Sequence, residues 1–169
     1  MLMRQLLLRT MINSIIVFLA NYLYIIIVLV AIVAVVFANQ TARKSILKLA
    51  LLTLPLAFII ANILGRLFYN PRPFVVEHIK PLIPHAANNG FPSDHTLLVI
   101  SIASILFVYN KRLGVFLFIL GLIVGFARIY AKVHHPIDIL GSIGIATSST
   151  FLSLILLKKL KLISHASLQ

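Results

Sequence analysis

Long apolar runs alternate along the chain with short polar clusters, and the runs are longer than a soluble core uses. Residues 10–42 contain no charged side chain at all. A helix needs about 20 mostly apolar residues to cross a bilayer, and inside hydrocarbon its backbone must satisfy its own hydrogen bonds. By that measure the pattern predicts five spans, near residues 21–38, 46–68, 94–109, 113–130 and 136–157. The first run is longer than one span requires. Its early part places Gln5, Arg9 and Asn13 at i, i+4 and i+8 among leucine, methionine and isoleucine. One polar stripe on an apolar helix predicts an interfacial helix lying on the membrane surface. The expected fold class is therefore all-α, a polytopic membrane helix bundle of about five transmembrane helices plus an N-terminal interfacial helix. No internal repeat or second domain is visible, so residues 1–169 read as a single membrane-embedded domain.

Composition sharpens this picture. The chain is 61% hydrophobic and 11% charged, with a mean hydropathy of +1.09, whereas soluble domains average about 45–50% apolar and about 25% charged residues. A net charge of +12 raises the question of nucleic acid. The lysines and arginines stand in short clusters between apolar runs, however, so they read as topology signals and contacts to anionic head groups. No nucleic-acid partner is expected. The absence of cysteine excludes disulfides and thiolate chemistry. The acidic residues are Glu77, Asp94 and Asp138 alone, too few for a hydrolase built on two carboxylate-bridged metals. No metal and no cofactor is expected. The run after Arg9 is too long for a cleavable signal peptide and lacks its small-residue cleavage pattern.

Five crossings place residues 39–45, 109–114 and the tail 158–165 on one side, where with Lys48 they hold eight of the fifteen basic residues. The other side receives Arg4, Arg9, Arg66, Arg72, Lys80, Arg128, Lys132 and all three acids. The charge bias is slight by count. Once residues on the acid-bearing side are set aside as ligand-binding, the first side becomes cytoplasmic. The connection over residues 69–93 is the longest and contains five of the seven prolines. Such a stiffened loop in a small membrane protein reads as functional.

Three segments project from the acid-bearing side: "GRLFYNPRPF", "GFPSDHT" and "ARIYAKVHHPID". Together they bring Arg66, Arg72, Arg128, His95, His134, Asp94 and Asp138 to one membrane face. Charges at span ends are costly if buried alone and are expected to pair or to meet a ligand. Ser93 suits a helix N-cap and Pro136 the first turn of the fifth span. Helix N-termini favour anions, and with three arginines beside them a phosphate or pyrophosphate site follows. A serine hydrolase with Ser93 as nucleophile lacks the strand–turn–helix context such a serine needs. A non-catalytic lipid-binding or permease subunit would explain the composition but not the clustered motifs.

In order and spacing, "RPF", "PSDH" and Arg-x5-His-x3-Asp (Arg128, His134, Asp138) resemble the three motifs of the type 2 phosphatidic acid phosphatase superfamily, which also includes vanadate-dependent haloperoxidases. The run "NPRPFVVEHIKPLIPHAANNGFPSDHT" is similar to one branch, the bacitracin-resistance type undecaprenyl-pyrophosphate phosphatases. The resemblance covers residues 62–144. It implies that His134 is a nucleophile forming a phosphohistidine, that Asp138 orients it, and that His95 protonates the leaving oxygen and later helps to activate water. It further implies that Arg72, Arg128 and the Ser93 region hold the phosphate oxygens. Three departures stand out: Gly65 occupies the place of a motif lysine, for which Arg66 is expected to substitute; Ala127 replaces a serine; and Asp94 replaces a glycine. The implied substrate is undecaprenyl pyrophosphate, cleaved to undecaprenyl phosphate and inorganic phosphate in carrier-lipid recycling for the cell wall. The site would lie on the outer face of a bacterial cytoplasmic membrane, and vanadate should inhibit. A broader lipid phosphatase acting on phosphatidic acid or phosphatidylglycerol phosphate is the alternative.

The remaining polar residues carry weaker expectations. Asp94 either sets the charge state of His95 or complements a helix dipole. His135 is positional. Glu77, His78 and His85 either touch the lipid head group or are solvated loop residues, solvation being the favoured reading, and His165 is read as part of a mobile tail. Gly121 and Gly125 match a small-xxx-small pattern and predict close helix packing within the fold.

Overall fold

A computed structural model describes residues 1–163; His165 lies outside the described residues. The elements are α1 (Leu2–Phe37), α2 (Gln40–Leu67), the single turn α3 (Pro73–Val76), α4 (Asp94–Phe107), α5 (Lys111–Tyr130) and α6 (Pro136–Lys159), with no strand among the described residues. Four of these, α1, α2, α5 and α6, are long and apolar enough to cross a membrane, and α4 is a shorter apolar helix. The all-helical polytopic bundle read from the sequence is the fold.

The first helix departs from expectation. Residues 2–37 form one continuous helix of 36 residues, where a surface helix followed by a separate span was expected. The reason is local: the segment contains neither proline nor glycine, so nothing interrupts the i→i−4 ladder. At about 1.5 Å per residue it is roughly 54 Å long, far more than the ~30 Å hydrocarbon core. Its buried stripe, Ile16, Ala20, Leu23, Ile27 and Ala31, begins only at residue 16. The second span starts earlier than expected, at Gln40, because Asn39 caps it by accepting from the Ala42 N–H at 2.8 Å. The third ends earlier, at Phe107, and its 14 residues span only about 21 Å.

Close contacts fix the helix directions. In α5, Gly114 lies against Phe107, Gly121 against Ile100 and Gly125 against Thr96 and Ile139, so α4 and α5 are antiparallel. A Cβ on Gly121 would stand 2.7 Å from Ile100, and one on Gly125 2.7 Å from Ile139. The glycine pattern therefore serves packing within the fold, as its spacing predicted. Lys48 near the start of α2 donates to the Leu162 carbonyl after α6 (2.9 Å), and Arg43 closes the α1–α2 corner on the carbonyls of Val35, Val36 and Ala38. One end of the bundle thus gathers basic residues. The other gathers the end of α2, the long loop, and the starts of α4 and α6.

Candidate active site

The long loop is fastened by one side chain. The Asn89 carbonyl oxygen accepts from the N–H groups of Asn70 (2.9 Å) and Phe91 (3.0 Å), while its amide nitrogen donates to the carbonyls of Gly65 (2.6 Å) and Phe68 (3.2 Å) at the end of α2. Gly65 is where a side chain would crowd this clasp, since a Cβ there would meet the Phe91 carbonyl at 3.0 Å. Sequence reading missed Asn89, whose only signal was its place in a proline-rich loop. Asn89→Ala strands four backbone groups and is expected to destabilise the fold by about 2–3 kcal/mol. That corresponds to a melting temperature lower by roughly 5–10 °C, which circular dichroism in detergent reads directly.

The clasp delivers Arg72 and Gly90 to the loop between α5 and α6. The His134 Nδ1 lies 2.9 Å from the Gly90 carbonyl and 3.3 Å from Asp138 Oδ2. Both partners only accept, so Nδ1 carries the proton and Nε2 keeps its lone pair. Asp138, fully buried, also accepts from Asn70 Nδ2 (2.7 Å) and from the His135 N–H (2.8 Å). His135 is positional, as expected: it precedes Pro136 and caps α6. Burial, countered in part by the Asp138 hydrogen bond, lowers the pKa of His134, so the imidazole is neutral near pH 7.

Arg72 is buried, and four of its five N–H donors are engaged, which leaves one on Nη2. It donates from Nε to Asn88 Oδ1 (2.9 Å), from Nη1 to the Val133 carbonyl (2.7 Å) and from Nη2 to the Asn89 carbonyl (3.2 Å), and Nη1 stands 3.3 Å from His134 Nε2. Burial lowers its pKa, and Asp138 and Asp94 oppose that shift. Arg128, in the last turn of α5, is equally buried but sparsely bonded: Nη1 donates to the Ala20 carbonyl at 3.2 Å and Nε has no partner. A buried guanidinium with donors to spare is what an anion site requires. His95, in the first turn of α4, meets the Tyr24 ring edge-on at 4.5 Å between centroids; Tyr24, on α1, belongs to none of the motifs.

Other expected residues are arranged differently. Ser93 is at the N-cap of α4 but makes no side-chain cap; its hydroxyl accepts from Thr96 (3.2 Å) and its carbonyl from Ser142 (2.9 Å), tying α4 to α6. The first N–H groups of α4 have no partner within the helix. Arg66 is exposed and lines a polar recess of about 280 Å³ with Asn62, Arg72, Asn89 and Asp94. That recess adjoins Arg72 rather than His134. It shares Phe58 and Asp94 with an apolar groove of about 240 Å³ between α2 and α4. The groove in turn shares Leu54 with one of about 290 Å³ running along α1, α2 and α4 as far as Val36 and Ile46. Ala127 packs in an apolar cluster with Ile16, Ala20, Ile83, Ala131 and Val133. Glu77 is exposed, as expected of a solvated loop residue, and pairs at the surface with Lys132 at 3.0 Å. His85, also expected to be solvated, is instead half-buried with its ring 6.1 Å from that of His134.

With this geometry in hand, comparison with known proteins is informative. The PAP2 superfamily profile matches residues 19–161. The chain belongs to the PAP2 superfamily. Among its PAP2 relatives is the undecaprenyl-diphosphatase BcrC of Bacillus subtilis (strain 168), 36% identical over 85% of this chain and 74% of the relative. A bacitracin transport permease protein BcrC of Bacillus licheniformis is 33% identical over 77% of this chain and 64% of the relative. The putative undecaprenyl-diphosphatase YbjG of Escherichia coli (strain K12) is 29% identical over 77% and 66%. The chain thus spans about two thirds to three quarters of these proteins' lengths. The crystal structure of Aquifex aeolicus LpxE superposes with a TM-score of 0.69 at 26% identity, covering 86% of each chain.

Proposed function

We propose that this PAP2 protein hydrolyses undecaprenyl diphosphate to undecaprenyl phosphate and inorganic phosphate, with His134, His95 and Asp138 as its catalytic residues. The observation that carries the reading is the neutral His134, its Nδ1 proton held by Asp138 and Gly90 and its Nε2 beside the Arg72 guanidinium. Nε2 attacks the terminal phosphorus; a P–N bond forms and the bond to the bridging oxygen breaks. His95 gives the leaving lipid phosphate a proton, then takes one from the water that cleaves the phosphohistidine. Arg72 and Arg128 hold the equatorial oxygens, over which charge spreads in the transition state. Arg66 faces the phosphate that stays on the lipid, and the first-turn N–H groups after Ser93 complete the cradle.

The lipid tail has a route of its own. The polar recess at Arg66 and Asp94 leads by shared residues into apolar grooves along α2 and α4. From Arg66 down to Ile46 is about 30 Å of helix, longer than an ordinary acyl chain needs and suited to a long polyprenyl chain. The permease name of the Bacillus licheniformis relative favours a transport reading, but a tautomer-locked histidine beside a buried arginine has no purpose in a simple permease.

The test is phosphate release from purified protein in excess chelator, with undecaprenyl diphosphate and phosphatidic acid compared. Chelator-resistant turnover of the prenyl lipid, abolished in His134→Ala, is the expected result. Release that survives in the variant would refute the assigned nucleophile, and preference for phosphatidic acid would refute the substrate.

The basic end holds Arg43, Lys44, Lys48, Lys111, Arg112, Lys158, Lys159 and Lys161, which supports a cytoplasmic placement and an outward-facing site in a bacterial cytoplasmic membrane. The cysteine-free chain makes this easy to check. Lys80→Cys, in the exposed loop, should react with a membrane-impermeant maleimide in intact cells. Labelling only after lysis would invert the topology.

A further inference from the structure

His85 belongs to none of the three motifs and has no part in the chemistry above, yet it is held over the nucleophile. Its position is set from both sides. Before it, the Leu82 N–H donates to the Ala131 carbonyl (3.2 Å) and Ile83 is buried among Ala127, Ala131 and Val133. After it, Arg72 binds Asn88 and Asn89. The His85 and His134 rings are nearly perpendicular, at 79°, with centroids 6.1 Å apart, whereas Tyr24 and His95 touch at 85° and 4.5 Å. The histidine pair is therefore wider than a contacting pair of the same geometry. Among the described residues the His85 ring nitrogens make one hydrogen bond, a long one between Nδ1 and the Ala86 carbonyl at 3.4 Å, and Nε2 has none.

The charges around it point the same way. Burial first, and then the Arg72 and Arg128 guanidinium groups, hold the His85 pKa at about 4, and no carboxylate is among the charges that shift it. The ring is neutral in the free protein and stands near Arg72 and Arg128, for which Asp138 and Asp94 are the nearby counter-charges. An anion among these groups reverses the sign of that field and turns the imidazole into a good donor. Two donors implied by the motif resemblance are also missing, with Gly65 in place of a lysine and Ala127 in place of a serine. Neither site has room to regain one, since Gly65 abuts the Phe91 carbonyl and Ala127 is packed in the apolar cluster.

We propose that His85 is a phosphate-binding residue of this site, donating from Nε2, as the Nε2–H tautomer or as the imidazolium formed when the anion binds, to a non-bridging oxygen of the phosphoryl group carried on His134. This rests on the phosphatase reading above. The ligand class is a terminal phosphoryl group, whether from a diphosphate or a monophosphate ester, and vanadate is its five-coordinate analogue.

The experiment compares native protein, His85→Ala and His85→Gln in detergent, measuring hydrolysis of a short-chain prenyl diphosphate, inhibition by orthovanadate, and thermal unfolding. His85→Ala should lower kcat/KM by about 10- to 100-fold and weaken vanadate inhibition by a similar factor, with unfolding unchanged. His85→Gln, which keeps a donor nitrogen at similar reach, should recover most of both. Unchanged kcat/KM and vanadate affinity in His85→Ala would overturn the proposal. So would a fall in kcat/KM with vanadate affinity intact, which marks a purely structural role. If His85→Ala unfolds early, His85→Gln decides, and a glutamine variant that folds but has lost vanadate affinity overturns the proposal. If the native protein releases no phosphate, the phosphatase reading fails instead, and vanadate-induced thermal stabilisation of native against variant protein still reports the contact.

Discussion

Asp138→Asn is expected to lower turnover by about 10³- to 10⁴-fold while leaving KM nearly unchanged. The carboxylate is buried and its two oxygens divide three donors: Oδ1 takes Asn70, and Oδ2 takes His134 Nδ1 and the His135 N–H. An asparagine has only one accepting oxygen to offer. If its amide nitrogen occupies the Oδ2 place, it opposes the His135 N–H and donates to His134 Nδ1. The ring proton then moves to Nε2, and the lone pair that attacks phosphorus is gone. If the nitrogen occupies the Oδ1 place, the Asn70 amide must flip to accept from it. The tautomer then survives, but the negative charge that stabilises the imidazole as it takes on a phosphoryl group is lost. Both arrangements act on the chemical step and leave Arg72 and Arg128 to bind substrate, so kcat should carry the loss. Steady-state phosphate release over a range of lipid concentrations separates the two constants. A loss confined to KM would show that Asp138 shapes the binding site and does not orient the nucleophile.

Most of the fold was legible because a bilayer imposes a length and a polarity on each helix, and four of the apolar runs here meet both, with α4 the short one. The candidate site was legible as charged residues at span ends, which are expected to pair or to meet a ligand, and the structure does bring Arg72, His134 and Asp138 together. What stayed hidden depends on contacts across the chain. Asn89 bonds backbone groups of residues 65, 68, 70 and 91, and no periodicity announces a side chain that folds a loop. His85 read as solvated because a loop sequence carries no sign of what it leans against. Residues 2–20 misled in the opposite way. Their polar stripe of Gln5, Arg9 and Asn13 is real, but a stripe does not end a helix. Only a cap or a breaker does, and none occurs before Ala38.

The two buried arginines should respond differently to the same substitution. Arg72→Lys replaces a planar fork that binds Asn88, Asn89 and Val133 at once with a single ammonium, which cannot span those partners. Loss of these bonds should cost about 2–3 kcal/mol of stability, because it releases the loop that the Asn89 clasp delivers. Activity should fall by about 10²- to 10³-fold as well, since the same guanidinium borders His134 Nε2. Arg128→Lys removes one protein hydrogen bond, to Ala20, from a group whose Nε is already unpartnered. Its fold should lose no more than about 1 kcal/mol, yet its activity should fall by a similar factor, about 10²-fold or more, if those spare donors exist for phosphate oxygens. Thermal unfolding set beside vanadate inhibition separates the cases: Arg72→Lys should lose both, Arg128→Lys mainly vanadate affinity. Equal melting losses would mean that Arg128 is a structural cation bridging α1 and α5. An Arg128→Lys variant with native vanadate affinity would remove it from the phosphate site altogether.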